Sequence, residues 1–498
     1  MKLLLLIPAV FLSSILTAQQ TTDTLLMANQ KVAEKDFAAA ATLLSEYNQH
    51  HTEKDALWLQ ARLLYWMKDY PAATAAYDDA VANYPADMDL RLDYARMLFG
   101  TKKFQLARVQ FAEVLKSDSL HAEANVMVAY MDLWLGKMKT ARQRTQFILH
   151  HYPGNTDAAT ILQQVNEWTA PYIKAGTGFQ RDDQPKQGRL AGIEAGVYRS
   201  RFFSPAIEMQ WSHFDVKNRN YSSVLFRGRN KFSFGGFGLT LGAGMFHHAA
   251  ANENSLTWLV QLQQKIGGAL TAEAEFEKSP YQYSVASVMQ PLLEHFSSFG
   301  ISLNSKNKWL GRAAWQSQSF DDDNKINTVY AWLLAPVVSA KSFNLKLGYS
   351  FSAANADENR FVSAAPVEEL SATTPVNSFV AGVYDPYFTP ANQQVHALLG
   401  SISQPLSKHF VFNTRVSYGF SASADNPQIQ LAQNMGNGYY FKKSYSPTSY
   451  TPVEWVSNLQ ILASKQLSFD LEYNYQQLLF YTNQSGTMHL KYQLLHGK

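Results

Sequence analysis

The chain of 498 residues has no cysteine, which excludes disulfides, thiolate metal sites, a cysteine nucleophile and a lipid-modified N-terminal cysteine. It also has little net charge: 43 lysines and arginines stand against 40 aspartates and glutamates, and the basic residues are scattered rather than gathered into a stripe. No nucleic-acid partner is expected. Beyond the N-terminus no apolar run approaches the ~20 residues of a spanning helix, so any crossing of a bilayer falls to strands. Catalytic constellations are missing too. His247 and His248 are adjacent and point to opposite faces of a strand, and His295, His396 and His409 lack a metal-ligand context. Asp321, Asp322, Asp323 and Asn324 read as a solvated turn rather than a calcium loop, and no G-x-S-x-G occurs. Neither enzyme activity, cofactor nor metal is expected.

What is present begins with a leader. Lys2, the apolar run Leu3 to Leu12, Ser13, Ser14 and the small-residue end at Thr17, Ala18 have the order of a secretory signal peptide over residues 1–18. Residues 19–170 then carry a repeat of 34. That spacing aligns Ala39, Ala73, Ala107 and Ala141, then Ala61, Ala95 and Ala129, then Pro85 and Pro153. Thirty-four is the tetratricopeptide length, with alanine where paired helices cross, an aromatic four residues on (Tyr77, Phe111) and proline after the second helix. His51 and Ser119 stand where proline is absent, and Leu43 and Thr145 where the aromatic is absent. Residues 156–168 read as a closing helix, capped by Asp157, with Ile161, Leu162, Val165 and Trp168 on one face.

After Pro171 the period changes to two. In Leu467 to Tyr475, Phe469, Leu471, Tyr473 and Tyr475 lie on one face, and Ser468, Asp470, Glu472 and Asn474 on the other. Similar alternation recurs across residues 171–498, with short connections such as Ser464, Lys465, Gln466 and long polar ones over 354–378 and 421–439. Period two fits a soluble sandwich or propeller as well, but the leader and the aromatic density favour a membrane. The expected architecture is therefore an N-terminal α-solenoid of about four tetratricopeptide repeats followed by an antiparallel transmembrane β-barrel of roughly 16 to 18 strands. With the apolar face on lipid, Glu273, Glu275, Glu277, Arg312, Lys346, Arg415, Asp470, Glu472 and Lys491 become candidate lumen-lining residues. These charges either guide a polar polymer or pair across the lumen.

The stretch Tyr384, Asp385, Pro386, Tyr387, Phe388, Thr389, Pro390, followed by Gln393 and Gln394, resembles the Tyr-Phe-Ser/Thr-Pro element of bacterial cellulose-secretion outer-membrane proteins. A leader, tetratricopeptide repeats and a C-terminal barrel, in that order, are similar to that family and to poly-N-acetylglucosamine exporters, and the barrel half resembles YaiO-type barrels. The resemblance implies a polysaccharide export pore in the outer membrane, its repeats in the periplasm recruiting protein partners or the polymer. The alternative is a non-transporting scaffold whose plugged barrel anchors repeats that recruit secretion, motility or envelope-assembly components. As a purely structural element, Tyr384 to Pro390 would be a strand end whose aromatics sit in the interfacial girdle.

Overall fold

The computed structural model describes residues 24–495 apart from 437 and 480. The leader over 1–18 therefore lies outside the described residues. The chain divides into two compact units after Val165.

The first unit is a run of antiparallel helix pairs. They are α1 (24–33) with α2 (Phe37–Asn48), α3 (Lys54–Trp66) with α4 (Tyr70–Asn83), α5 (Met88–Gly100) with α6 (Phe104–Ser117), and α7 (Ala122–Trp134) with α8 (Met138–His151). A further helix, α9 (Thr156–Thr169), follows. The tight turn inside each pair uses one residue with left-handed backbone, Lys35, Lys68, Lys102 and Gly136 in succession, at φ of 61°, 64°, 62° and 71°. The alanines work as spacers. Ala61, Ala73, Ala95, Ala107, Ala129 and Ala141 are wholly buried, because helix axes approach closely only where no larger side chain intervenes. Tyr77 and Phe111 fill the space beside them and are also buried.

Two details differ from the sequence reading. In the first repeat the buried positions are Ala40 and Leu44 rather than Ala39 and Leu43. α2 has 12 residues against 14 in α4, and the connection that follows it is only one residue longer, so the first spacing is 33. The cap of α9 is Asn155, whose Oδ1 accepts from the Ala158 N–H at 2.8 Å; Asp157 is already inside the first turn. Ile161 and Val165 are buried there and Trp168 is exposed.

The second unit is a closed antiparallel barrel. Its first eleven strands are consecutive neighbours: β1 (Tyr172–Asp182), β2 (Lys186–Gly196), β3 (Pro205–Val216), β4 (Arg219–Phe234), β5 (Phe237–His248), β6 (Glu253–Ile266), β7 (Leu270–Pro280), β8 (Leu293–Asn304), β9 (Leu310–Phe320), β10 (Lys325–Ser339) and β11 (Asn344–Ala356). The next connection carries the short β12 (Phe361–Ser363), β13 (Phe379–Val380) and β14 (Gly382–Tyr384). The remainder are β15 (Gln393–Pro405), β16 (Phe410–Gln433), β17 (Tyr439–Tyr450), β18 (Val453–Leu462), β19 (Leu467–Gln477) and β20 (Thr482–Gln493). β20 pairs with β1, from Tyr172 opposite Gln493 to Asp182 opposite Asn483, and this closes the ring.

Of the 18 strands in the main sheet, β13 and β17 pair only with the outer length of β16, which leaves 16 around the barrel. The sequence range of 16 to 18 thus resolves to the lower value. β16 is the reason. Of the residues 421–439 expected as a polar loop, 421–433 form the second half of this strand of 24 residues and pair with β17 as a hairpin beyond the ring. Conversely, the alternation around 379–388 yields only the stubs β13 and β14, because the chain there folds back on itself.

Candidate functional site

Strand register and cross-strand contacts define the inner face. Ile207, Trp211, Phe226, Met245, Phe299, Ile301, Trp315, Leu347, Leu398, Trp455 and Leu490 are exposed on the outer surface, and their sequence neighbours face in. The inner face is charged and largely paired. Arg227 of β4 donates from Nε to Glu208 of β3 at 2.7 Å and from Nη1 to Glu277 of β7 at 2.6 Å. The second contact skips β5 and β6, so it spans the concave interior. It passes over Gly244 of β5, where a Cβ would stand 2.3 Å from the Phe226 carbonyl oxygen and 2.9 Å from Thr257 Oγ1. Only glycine lets β5 approach the β4 backbone that closely at this point. Arg229 extends the network to Glu194 at 2.8 Å and to Glu208 at 3.6 Å.

The sequence-derived residues fall into several groups on this wall. Glu273 pairs with Arg312 at 3.0 Å and accepts from Ser302. Glu275 accepts from Gln261 at 3.2 Å, and Glu277 joins the Arg227 pair. Arg415 meets Glu454 at 3.6 Å. Asp470 accepts from the Asn458 amide, Glu472 sits opposite Asn458 and Thr487, and the Lys491 ammonium lies 4.8 Å from the centre of the Tyr172 ring. Lys346 sits opposite Pro336 and Ser401. Four central members, Glu194, Glu208, Arg227 and Arg229, were missed. Their signal was the inward set Arg227, Arg229, Lys231 on β4, masked because Leu225 also faces in and breaks the polar–apolar alternation.

One end of the barrel, opposite the start of β1, is covered by loops. The connection between β7 and β8 carries a short helix, α10 (Val285–Met289), and reaches strands far around the ring. Lys186 Nζ of β2 bonds the Gln282 carbonyl at 3.3 Å while pairing with Asp182, both side chains being about fully buried. Gln282 donates to Ser223 of β4, and His248 of β5 meets the Val288 carbonyl at 2.8 Å. The long connection over 357–392, which also carries α11 (Val367–Ser371), completes the lid. Ser284 bonds to the Pro386 carbonyl, joining the two loops.

The Tyr384 to Pro390 motif lies inside this lid, not in an interfacial girdle. Tyr387 has no exposed surface; its ring stacks on Phe320 and its hydroxyl donates to Asp322 at 2.8 Å. Tyr281 stands edge-on to both rings. Tyr384 packs edge-on against Phe361 and Phe388, Asp385–Pro386 is a cis peptide, and the Pro390 carbonyl accepts from the Ala356 N–H. The acidic turn is solvated at Asp321, Asp322 and Asp323, as read from the sequence, but it is also anchored: Asn324 is 2% exposed and exchanges bonds with Glu358, and Asp322 holds Arg360 at 2.9 Å. Burial pushes the Tyr387 hydroxyl up to about 12, aided by the Asp322 carboxylate. Burial alone would raise Asp322, but hydrogen bonds from Tyr387 and the Asn324 N–H, with the Arg360 charge, hold it below the usual carboxylate range.

Beneath the lid is a cavity of about 750 Å³. Tyr281, Tyr283, Tyr330, Trp332 and Phe388 supply rings to its wall, Gln318, Gln393 and Gln476 supply amides, and Arg312, Arg415 and Glu454 supply charge. Such a lining offers stacking faces and both donors and acceptors to a hydroxyl-rich ligand. Among the described residues no group of three histidines or carboxylates is placed to hold a metal.

These features define a two-part protein in which tetratricopeptide-like helical repeats precede a closed 16-strand barrel with a charged inner face. The chain matches no known family model and no curated protein. Among solved structures it is similar to a "Bacterial polysaccharide outer membrane secretin", at 7% identity and a TM-score of 0.47, over 66% of this chain and 99% of that one. A tetratricopeptide repeat protein from Parabacteroides merdae matches at 14% identity and a TM-score of 0.28, over 30% of this chain and 60% of that one. YrrB, described as a tetratricopeptide protein with an unusual peptide-binding site, matches at 14% and 0.26, over 28% and 74%.

Proposed function

We propose that the protein is an outer-membrane barrel that passes a polysaccharide, in a closed state here, with its helical repeats in the periplasm recruiting protein partners. It performs no chemistry on the polymer. An apolar outer wall on a ring with no free edge meets the two demands of a bilayer, and strands of 11 residues, tilted by about 45°, cover roughly 25 Å. The observation that carries the export reading is the ring- and amide-lined cavity under a lid made of loops. The lid is attached to the ring by side-chain bonds such as Lys186 to Gln282, and those bonds can break while the ring stays intact.

Planar-bilayer recording tests this. The full chain should conduct rarely, deletion of residues 282–291 should open it, and soluble oligosaccharides should then block the current. A second reading, the non-transporting scaffold, is favoured by the Arg227 to Glu277 contact across the interior. Absence of current after the deletion, in barrels shown to be inserted, would select the scaffold.

A further inference from the structure

We propose that the turns joining α5 to α6 and α7 to α8 form a docking surface for anionic phospholipid headgroups. The four turns occupy equivalent places in the repeat but are not chemically equivalent. In the first two, Asp36 and Asp69 cap the following helix, accepting from the Ala39 and Ala72 N–H groups at 3.1 and 3.2 Å. In the last two the cap positions are Lys103 and Lys137, and neither makes a side-chain cap bond. A lysine there leaves a helix N–H without its usual acceptor and puts positive charge at the positive end of the helix dipole. The left-handed residue of the turn is a lysine in the first three, Lys35, Lys68 and Lys102, so what sets the later turns apart is the change from aspartate to lysine at the cap. Local rules are thus broken in one place, in one direction of charge, as expected where a surface serves a partner.

The surroundings specify the partner. Lys102, Lys103, Lys137 and Lys139 make no salt bridge among the described residues; Lys103 bonds only the neutral Thr74 hydroxyl, at 2.8 Å. Beside them Phe99, Phe104, Tyr130 and Trp134 form one cluster of rings, Phe104 and Trp134 at 5.2 Å, with Trp134 47% exposed. Lysines around one exposed indole, Trp134, backed by half-buried rings suit a headgroup layer, where the ammonium meets phosphate and the indole lies at the acyl boundary. The basic turns are also those nearer in sequence to the barrel, and only Ala170 and Pro171 separate α9 from β1. This inference rests on the membrane reading of the barrel.

The test uses the full chain in nanodiscs of phosphatidylcholine alone or with three parts in ten phosphatidylglycerol, reading backbone hydrogen exchange over residues 99–105 and 134–140. Each lysine close to an anionic surface contributes about a fivefold preference, so exchange should slow severalfold in the anionic discs. Lys102→Gln with Lys139→Gln should reduce that difference. Lys103→Asp with Lys137→Asp should abolish it while slowing exchange at the starts of α6 and α8 in neutral discs, because the caps are restored. Equal exchange in the two discs overturns the proposal, as does slowing in neutral discs on adding polyglutamate but none from phosphatidylglycerol. A chain that never enters the discs would instead count against the barrel reading.

Discussion

Tyr387 lies flat on Phe320, ring centroids 3.7 Å apart and planes within 14°, and so ties the long loop of the lid to the end of a barrel strand. The same tyrosine donates to Asp322 at the head of the next turn. One side chain therefore supplies both the apolar and the polar anchor. Tyr387→Ala should remove the whole anchor, at about 3–5 kcal/mol of local lid stability, whereas Tyr387→Phe keeps the stack and loses the bond to a carboxylate, about 1.5–3 kcal/mol. Frequency of channel opening should rank alanine above phenylalanine above the unaltered chain. A phenylalanine variant as open as the alanine variant would mean that the stack contributes nothing.

The lid should also respond to pH at two extremes. Asp322 has its pKa held down in the folded lid, so its contribution is present above the ordinary carboxylate value and is lost as pH falls through its lower folded value. Tyr387 has its pKa raised to about 12, so its contribution is complete below about 10 and is lost as pH rises past 12. The frequency of channel opening should be flat near neutrality and rise at both ends. Asp322→Asn should flatten the acid limb and leave the alkaline limb in place.

Arg227 is shared by two carboxylates, and its side chain is 15% exposed. Removing one partner of such a group costs more than replacing the set. Arg227→Met alone strands Glu277, leaves Glu208 only the longer Arg229 contact, and should lower barrel stability by about 3–5 kcal/mol, while Arg227→Met with Glu208→Gln and Glu277→Gln should recover most of that. Gly244→Val should be more harmful than either, since its Cβ meets the backbone of β4. The temperature at which the folded band disappears on unboiled gels measures all three.

What the sequence revealed and what it hid follow from the range of the signal involved. Period two on β19 depends on neighbours along the strand, and Leu467 to Tyr475 was read directly as a strand with Asp470 and Glu472 on one face. The lid was not readable. Tyr387, Phe320 and Lys186 belong to segments far apart in the chain, and the aromatic run 384–388 has the same composition whether it faces lipid or a folded loop. β16 failed for a different reason: Ala422, Ala424, Ile429 and Leu431 do form a buried face, but two of the four are small and Ser421, Ser423, Asp425, Asn426, Pro427 and Gln428 give the segment the composition of a loop.

The helical repeats offer the sharpest check of register. A strict spacing of 34 points to Ala39 as the crossing residue of α2, whereas the packed residue is Ala40, fully buried beside Leu44. The two positions differ by about 100° around the helix, so only one can face the neighbouring helix. Ala40→Leu must force a larger side chain between close-packed helices and should cost at least about 1–3 kcal/mol, while Ala39→Leu should change stability by less than about 0.5 kcal/mol. Thermal unfolding of the helical signal in the two variants decides the matter, and equal losses would place the crossing between them. The same comparison at Ala73 and Ala107, where sequence and packing agree, should show the large effect at those two alanines themselves.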